Sequence, residues 1–201
     1  MSQIERKLLH IVHTESLAGP GGQTLRVLNE ACGMIDRGHQ VTLFCRPETY
    51  LYKQAIDRGL TTLPWLSKKV TVDAIRKLRR WQNQNHVDVI NTHSSTDSWV
   101  VALSQLGRRH KTPVVRTRHM RRPVGRDPLS RWLYTKATQF IVTTGENVRQ
   151  DLIIQNNFNQ DRIRSLPSGV DHQNFLPASK SAARASLSLP QEKTVVCMVA
   201  I

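Results

Sequence analysis

The residues of this 201-residue chain whose types and spacing could do chemistry fall into three groups. The first is a glycine turn, Gly19-Pro20-Gly21-Gly22, set between an apolar run (Leu8, Leu9, Ile11, Val12) and a segment carrying Leu25, Val27 and Leu28. Glycines at such a turn let the backbone approach a ligand closely, and the free N–H groups of a following helix favour an anion, so a phosphorylated ligand can sit near Gly21 and Gly22. The same arrangement also serves as a plain tight turn. The second group is two histidines, His93 after VDVINT and His119 after PVVRTR, each directly behind an apolar, β-branched stretch. The third is the loop RHMRRPVGRDP, whose Arg118, Arg121, Arg122 and Arg126 suit a phosphate or carboxylate because a guanidinium binds such groups bidentately. Glu15, shortly before the glycine turn, can accept a hydrogen bond from a ligand hydroxyl.

The hydrophobic pattern shows what must hold these residues. After the first strand, turn and helix, which ends at Arg37-Gly38-His39, QVTLFC reads as a second strand. A helix around Tyr50 to Arg58 leads to a short third strand, LTTLPW, stopped by Pro64. Val72, Ile75, Leu78 and Trp81 mark the core face of a helix over Val70 to Gln84, with Arg76, Lys77, Arg79 and Arg80 largely off it. Strands follow at Val87 to Ile90, Pro113 to Thr117, Phe140 to Thr144 and RIRSL, separated by helices from Thr96 to Leu106, Arg131 to Lys136 and Glu146 to Gln155. This alternation predicts an α/β fold, a Rossmann-like parallel sheet with helices on both faces. Ligands in such folds bind outside the carboxyl ends of the strands, where the strand order reverses. Glu15 with the glycine turn, Arg46, His93 with Ser94, Arg118 with His119, and Thr144 with Gly145 stand at those ends. PSGVDHQNFLP is an irregular connector, a small helix follows at Ala182 to Ser186, and the apolar VVCMVAI reads as a fresh buried strand. The expected division is a domain over 1–166, a hinge over 167–178 and the start of a second, truncated domain over 179–201.

Composition narrows the function classes. Apolar content of 39% fits a globular protein, and no run of 18 apolar residues exists, which with the polar start MSQIERK points to a cytoplasmic protein. The three scattered cysteines, Cys32, Cys45 and Cys197, read as reduced packing residues. A net charge of +14 predicts attraction to polyanions: nucleic acid, an anionic membrane surface or a phosphorylated substrate. Ten Lys and Arg residues against one acid, Asp127, lie between Arg108 and Lys136, so the charge is concentrated. A nucleic-acid-binding α/β module is one reading of that charge, but aromatic stacking clusters and nucleic-acid motifs are missing. An NADP-dependent oxidoreductase is another, through Arg46. It is disfavoured because Thr24 stands where the dinucleotide fingerprint wants Gly or Ala, and the second strand lacks the ribose-binding acid.

The order of segments resembles family 4 (group 1) glycosyltransferases. GPGGQTLRVLNEACGMIDRGHQVTLF is similar to the family's opening, VDVINTHSS to its fourth strand ending in histidine, and PVVRTRH to the next strand running into T-x-H. VTTGENVRQDLI and LPSGVDHQNFLP resemble the last segments of the amino-terminal domain and the hinge, with Ser168 where Asn is usual, and VVCMVAI resembles the first strand of the carboxyl-terminal domain.

That resemblance implies one half of a GT-B fold, with the acceptor held by this domain and most of the nucleotide-sugar by the other. It implies transfer with retention of anomeric configuration and no metal or other cofactor, which agrees with the lack of a D-x-D motif. Gly21 and Gly22 match the glycine pair whose amides approach the donor diphosphate. His93 matches the strand-end histidine that reaches the transferred sugar, and is the catalytic candidate; His119 matches the T-x-H histidine near the cleft. Arg118, Arg121 and Arg122, with Glu15 and His119, are then acceptor-binding candidates. The implied acceptor is an anionic envelope glycolipid or glycan, of lipopolysaccharide type, met at the inner face of the cytoplasmic membrane, and no specific nucleic acid partner is expected.

Overall fold

Seven parallel strands carry the architecture, each paired only with parallel neighbours in the order β3-β2-β1-β4-β5-β6-β7. The structure, a computed structural model, describes residues 7–172 and 175–198. Its elements are β1 (His10–Glu15), α1 (Gly22–Ile35), β2 (Gln40–Cys45), α2 (Tyr50–Asp57), β3 (Thr61–Leu63), α3 (Val72–Gln84), β4 (Val89–Thr92) and α4 (Ser95–Ser104). They continue with β5 (Val114–Arg118), α5 (Pro128–Thr135), β6 (Phe140–Thr143), α6 (Glu146–Ile154), β7 (Ile163–Ser165) and α7 (Lys180–Ser186). The chain separates into two units, Met1–Pro167 and Ser168–Ile201, so the whole sheet belongs to the first.

The strand order reverses between β1 and β4, which creates the crevice that binds ligands in open α/β sheets. Alternation along β1 and β2 builds the two layers. Ile11, Val41, Leu43 and Cys45 pack against Val27, Leu28 and Ala31 of α1 and Leu51 and Ala55 of α2. Val12 and Phe44, on the opposite face, meet Ala74 and Leu78 of α3 and Val100 and Val101 of α4. A third cluster joins Leu133 and Tyr134 to Ile141, Leu152, Phe158 and Ile163 under α5 and α6. Gly38 ends the turn after α1 at φ 87°, a conformation that favours glycine.

Three sequence expectations shift. The first strand lies later than the apolar run: Leu8 is exposed, and β1 runs through His13, Thr14 and Glu15, all buried. Tertiary pairing decides this, because β1 extends as far as β2 and β4 can bond it. Val72 does not share the core face of α3, being 62% exposed at the helix start, while Ala74, Leu78 and Gln82 are buried. The strand expected in VVCMVAI is absent over 194–198, which have no regular structure, and 199–201 lie outside the described residues. A strand needs a neighbouring ladder for its N–H and C=O groups, and none among the described residues pairs with 194–198. In that second unit the described order centres on α7, with Arg184 donating to the carbonyls of Gln191 and Lys193 at 2.7 and 2.9 Å.

Candidate functional site

The parallel register brings the strand ends together at the switch point. His13 stands opposite Asn91 and Thr92 opposite Arg116, so His93 and His119 each follow immediately beyond the last paired residues of β4 and β5. His13 points to the same face as Ile11 and Glu15, and its Nδ1 lies 2.9 Å from His93 Nε2. His93 Nδ1 in turn lies 3.0 Å from His119 Nε2. Both nitrogens of His93 are therefore engaged by other imidazoles, and the residue is only 4% exposed. His93 lies in the wall of the cavity that opens above the strand ends, with both ring nitrogens bonded to neighbouring imidazoles, and His119 is the more exposed ring. Burial lowers His13 to about 4 and His119 to about 4, and burial with the neighbouring His13, His119 and Arg26 charges holds His93 well below the usual imidazole value. All three rings are neutral at pH 7.

Beneath them lies a carboxylate network. Asp97, completely buried in the first turn of α4, accepts from His93 N and Thr14 Oγ1 at 2.9 Å each, from Ser94 N at 3.0 Å, and from the Ser94 hydroxyl. These bonds fix the backbone that presents His93. Burial raises the Asp97 carboxyl, against the pull of the same hydrogen bonds. Glu15 is also fully buried. Its Oε1 accepts from Leu17 N at 2.7 Å, and its other oxygen accepts from the Gln23 amide. Burial and then the Asp97 charge push it up to about 7. Glu15 thus does not face a ligand as expected; it anchors the loop and α1 from below. Gln23, which also donates to the His93 carbonyl at 3.2 Å, ties α1 to the end of β4.

Above the strand ends opens a cavity of about 340 Å³. Its walls include His93 and His119, the chain Ser94-Ser95-Thr96, and five basic side chains, Arg46, Lys68, Arg116, Arg118 and Arg122, without one carboxylate. Arg116 is 3% exposed with its guanidinium 4.4 Å over the Tyr134 ring, and its NH1 has no hydrogen-bond partner. Arg118 donates to the Tyr134 hydroxyl at 2.9 Å and to the Arg122 carbonyl at 2.5 Å, while its Nε is likewise buried and unpaired. A cavity wall with five basic side chains and no carboxylate suits an anion. Arg121 does not join them. It forms a two-bond ion pair with Asp151 at 2.5 and 3.1 Å, so its charge is already answered on α6. Arg126 is exposed and outside the cavity wall.

The glycine turn leads into α1 as expected. Gly21 is the N-cap, no side chain caps the helix, no acid lies in its first turn, and space is open beside Gly19, Gly21 and Gly22. One possible cation site is closed by its own bonds. His13, Glu30 and His93 bring a ligand atom each within 4.8 Å of one another, but Glu30 accepts from Arg26 at 2.6 Å and the two rings bond each other. An arginine beside the carboxylate opposes a divalent ion.

Sequence reasoning missed Asp97, Gln23, Arg116 and His13. Asp97 alone had a local signal, the S-x-x-D spacing of Ser94 and Asp97 at a helix start.

The open parallel sheet with its switch-point cavity and uncapped glycine turn defines a Rossmann-like α/β fold. The chain belongs to Glycosyltransferase Family 4, whose model matches residues 20–174. D-inositol 3-phosphate glycosyltransferase of Nocardia farcinica is 26% identical over 224 aligned residues, covering 94% of this chain and 49% of that protein. The chain spans about half the length of the curated relatives it matches. Among solved structures, Anabaena Alr3699/HepE in complex with UDP-glucose superposes with a TM-score of 0.66 at 13% identity, over 90% of this chain and 50% of that one. The lipopolysaccharide outer core galactosyltransferase WaaB matches with a TM-score of 0.62 at 8% identity, over 82% and 47%. The family assignment replaces the oxidoreductase reading. No helix among the described residues is long and apolar enough to cross a membrane.

Proposed function

We propose that this chain is the acceptor-side part of a retaining glycosyltransferase that moves a sugar from a nucleotide-sugar to an anionic acceptor. The observation that carries the reading is the cavity at the β1/β4 switch point, which presents five basic side chains and no carboxylate next to His119. Arg116 and Arg118 are the fixed donors for the anion, with Arg46, Lys68 and Arg122 at the wall. The relative named for D-inositol 3-phosphate, a phosphorylated polyol, supports an acceptor of this charge, and the lipopolysaccharide galactosyltransferase likeness supports an envelope glycolipid or glycan. A membrane-surface acceptor suits the net charge of +14. Gly21 and Gly22 then offer the α1 N-terminus to the donor diphosphate, whose charge needs no metal if helix amides and arginines neutralise it.

His119, neutral and at the cavity wall, binds a hydroxyl rather than supplying positive charge. Arg121, paired with Asp151, stands outside this cavity wall. The test is direct binding. D-inositol 3-phosphate should bind this chain at least about tenfold more tightly than unphosphorylated inositol, and Arg116→Met should erase the difference. Equal affinities would overturn the anionic-acceptor reading. Because the chain matches only about half of its relatives, the purified 201 residues should also show little turnover with nucleotide-sugars. Robust transfer by this chain alone would contradict the assignment of the donor to the other half.

A further inference from the structure

The three histidines obey a proton count that the individual residues do not reveal. A neutral imidazole has one N–H and one bare nitrogen, and a hydrogen bond between two rings needs one of each. The chain His13 Nδ1 to His93 Nε2, and His93 Nδ1 to His119 Nε2, contains two such bonds at 2.9 and 3.0 Å. With all rings neutral, only two arrangements satisfy both: every ring protonated on Nε2, or every ring protonated on Nδ1. Any mixture sets two N–H groups or two lone pairs against each other. His13 lies edge to edge with His93 in nearly one plane (ring centroids 5.2 Å apart, planes 11° apart), as an in-plane N–H···N bond requires; it is 2% exposed and is not part of the cavity wall.

We propose that His13 is a positioning residue that locks the tautomer of His93 and, through it, makes His119 a pure hydrogen-bond acceptor at the cavity. The surrounding charges select the arrangement. Arg26 and Arg118 bear on His119, and the cavity wall beyond it adds Arg46, Lys68, Arg116 and Arg122. A bare Nδ1 facing these cations is favoured over an N–H. The one acid of the group, Glu30, lies within 4.8 Å of ring nitrogens of His13 and His93, so protons are better held toward the inner end. His13 Nε2 is buried without a hydrogen-bond partner, so in the Nε2–H arrangement it is an unsatisfied donor, a cost set against the pull of Glu30 and the cations around His119. The protons therefore sit on Nε2 of all three rings, and His119 Nδ1, which makes no hydrogen bond among the described residues, is left to accept from a hydroxyl. Its use on a sugar hydroxyl rests on the transferase reading, whereas the tautomer is a property of the chain itself, so the two can fail separately.

The experiment is long-range 1H–15N correlation, with 15N–15N couplings across hydrogen bonds, on the 15N-histidine-labelled chain at pH 7. Three Nε2–H tautomers and two inter-ring couplings are expected. In His13→Phe the first coupling disappears and His93 Nε2–H loses its acceptor, so the Nδ1–H tautomers of His93 and His119, now opposed only by the cations around His119, gain population and their nitrogens move toward averaged positions. In His13→Asn the side-chain oxygen replaces Nδ1 as acceptor, and the His93 Nε2–H state returns. Protons on Nδ1 in the wild-type chain, averaged tautomers without couplings, or unchanged His93 and His119 nitrogens in His13→Phe would each overturn the proposal. Should His13→Phe fail to fold, the wild-type spectrum still decides it, since a His93 proton on Nδ1 there contradicts the proposal.

Discussion

Two helices begin at the same edge of the sheet, and their N-termini are treated in opposite ways. At α1 the N-cap is Gly21, nothing caps the helix, and there is open space beside Gly21 and Gly22. At α4 the N-cap is Ser94, and Asp97 folds back to accept from Ser94 N and His93 N. Each helix start carries partial positive charge and unpaired N–H groups. One is left open, while the other is closed with the chain's own carboxylate. The closed end immobilises the histidines, and the open end leaves room for a ligand. The difference separates scaffold from site along one edge of the sheet.

Breaking the closed end should have the largest effect. Asp97→Ala removes the acceptor of His93 N, Thr14 Oγ1 and Ser94 N together, all in a buried setting. Loss of a cap and of several buried hydrogen bonds is worth about 3–5 kcal/mol. Urea unfolding should show that loss, and tautomer order in the histidine chain should go with it. A change below about 1 kcal/mol would mean that α4 does not depend on its own carboxylate.

Titration should pull the two ends apart with opposite sign. His13 has its folded value lowered from 6.5 to about 4, so the unfolded chain binds the extra proton and stability falls as pH drops from about 6.5 to 4. Glu15 beneath α1 has its folded value raised from 4.5 to about 7, so the folded chain keeps its proton longer and stability falls as pH rises through that window. Each effect spans up to about 3 kcal/mol when complete. His93 and His119 add to the acid side, so acid should be the more damaging direction. Urea midpoints between pH 4 and 8 should flatten on the acid side in His13→Asn and between pH 4.5 and 7 in Glu15→Gln. Parallel shifts in both variants would show that the two networks are not separable.

The open end was far more legible in the sequence than the closed one. A glycine cluster between an apolar run and a helical pattern is a local signal, and so are the apolar alternations that gave the parallel sheet. His93 and His119 could be placed at strand ends because the preceding runs VDVINT and PVVRT are contiguous. Their partnership could not, because His13, His93 and His119 meet only through strand register across 80 and 26 residues. Polar residues inside a strand, such as His13, Glu15 and Arg116, give no hint of the burial that decides their role. Arg121 and Arg122 are neighbours of the same type, yet one is taken by Asp151 on α6 and the other lines the cavity. That difference is written in packing alone.

The smallest effect on stability, and the sharpest on function, should come from Gly22→Asp. An added Cβ at Gly22 meets nothing within 4 Å, and the position has ordinary backbone geometry. A carboxylate in the first turn of α1 would imitate what Asp97 does for α4, and favourable interaction with the helix start is worth about 0.3–1 kcal/mol. Thermal or urea unfolding should therefore show no loss, and a slight gain is expected. In a longer chain that also contains the donor-side half, the same carboxylate should oppose the donor diphosphate and raise the nucleotide-sugar KM by about tenfold or more, the equivalent of 1.4 kcal/mol. Unchanged KM with unchanged stability would show that the α1 N-terminus is open without being used, and the contrast with α4 would then be one of structure only.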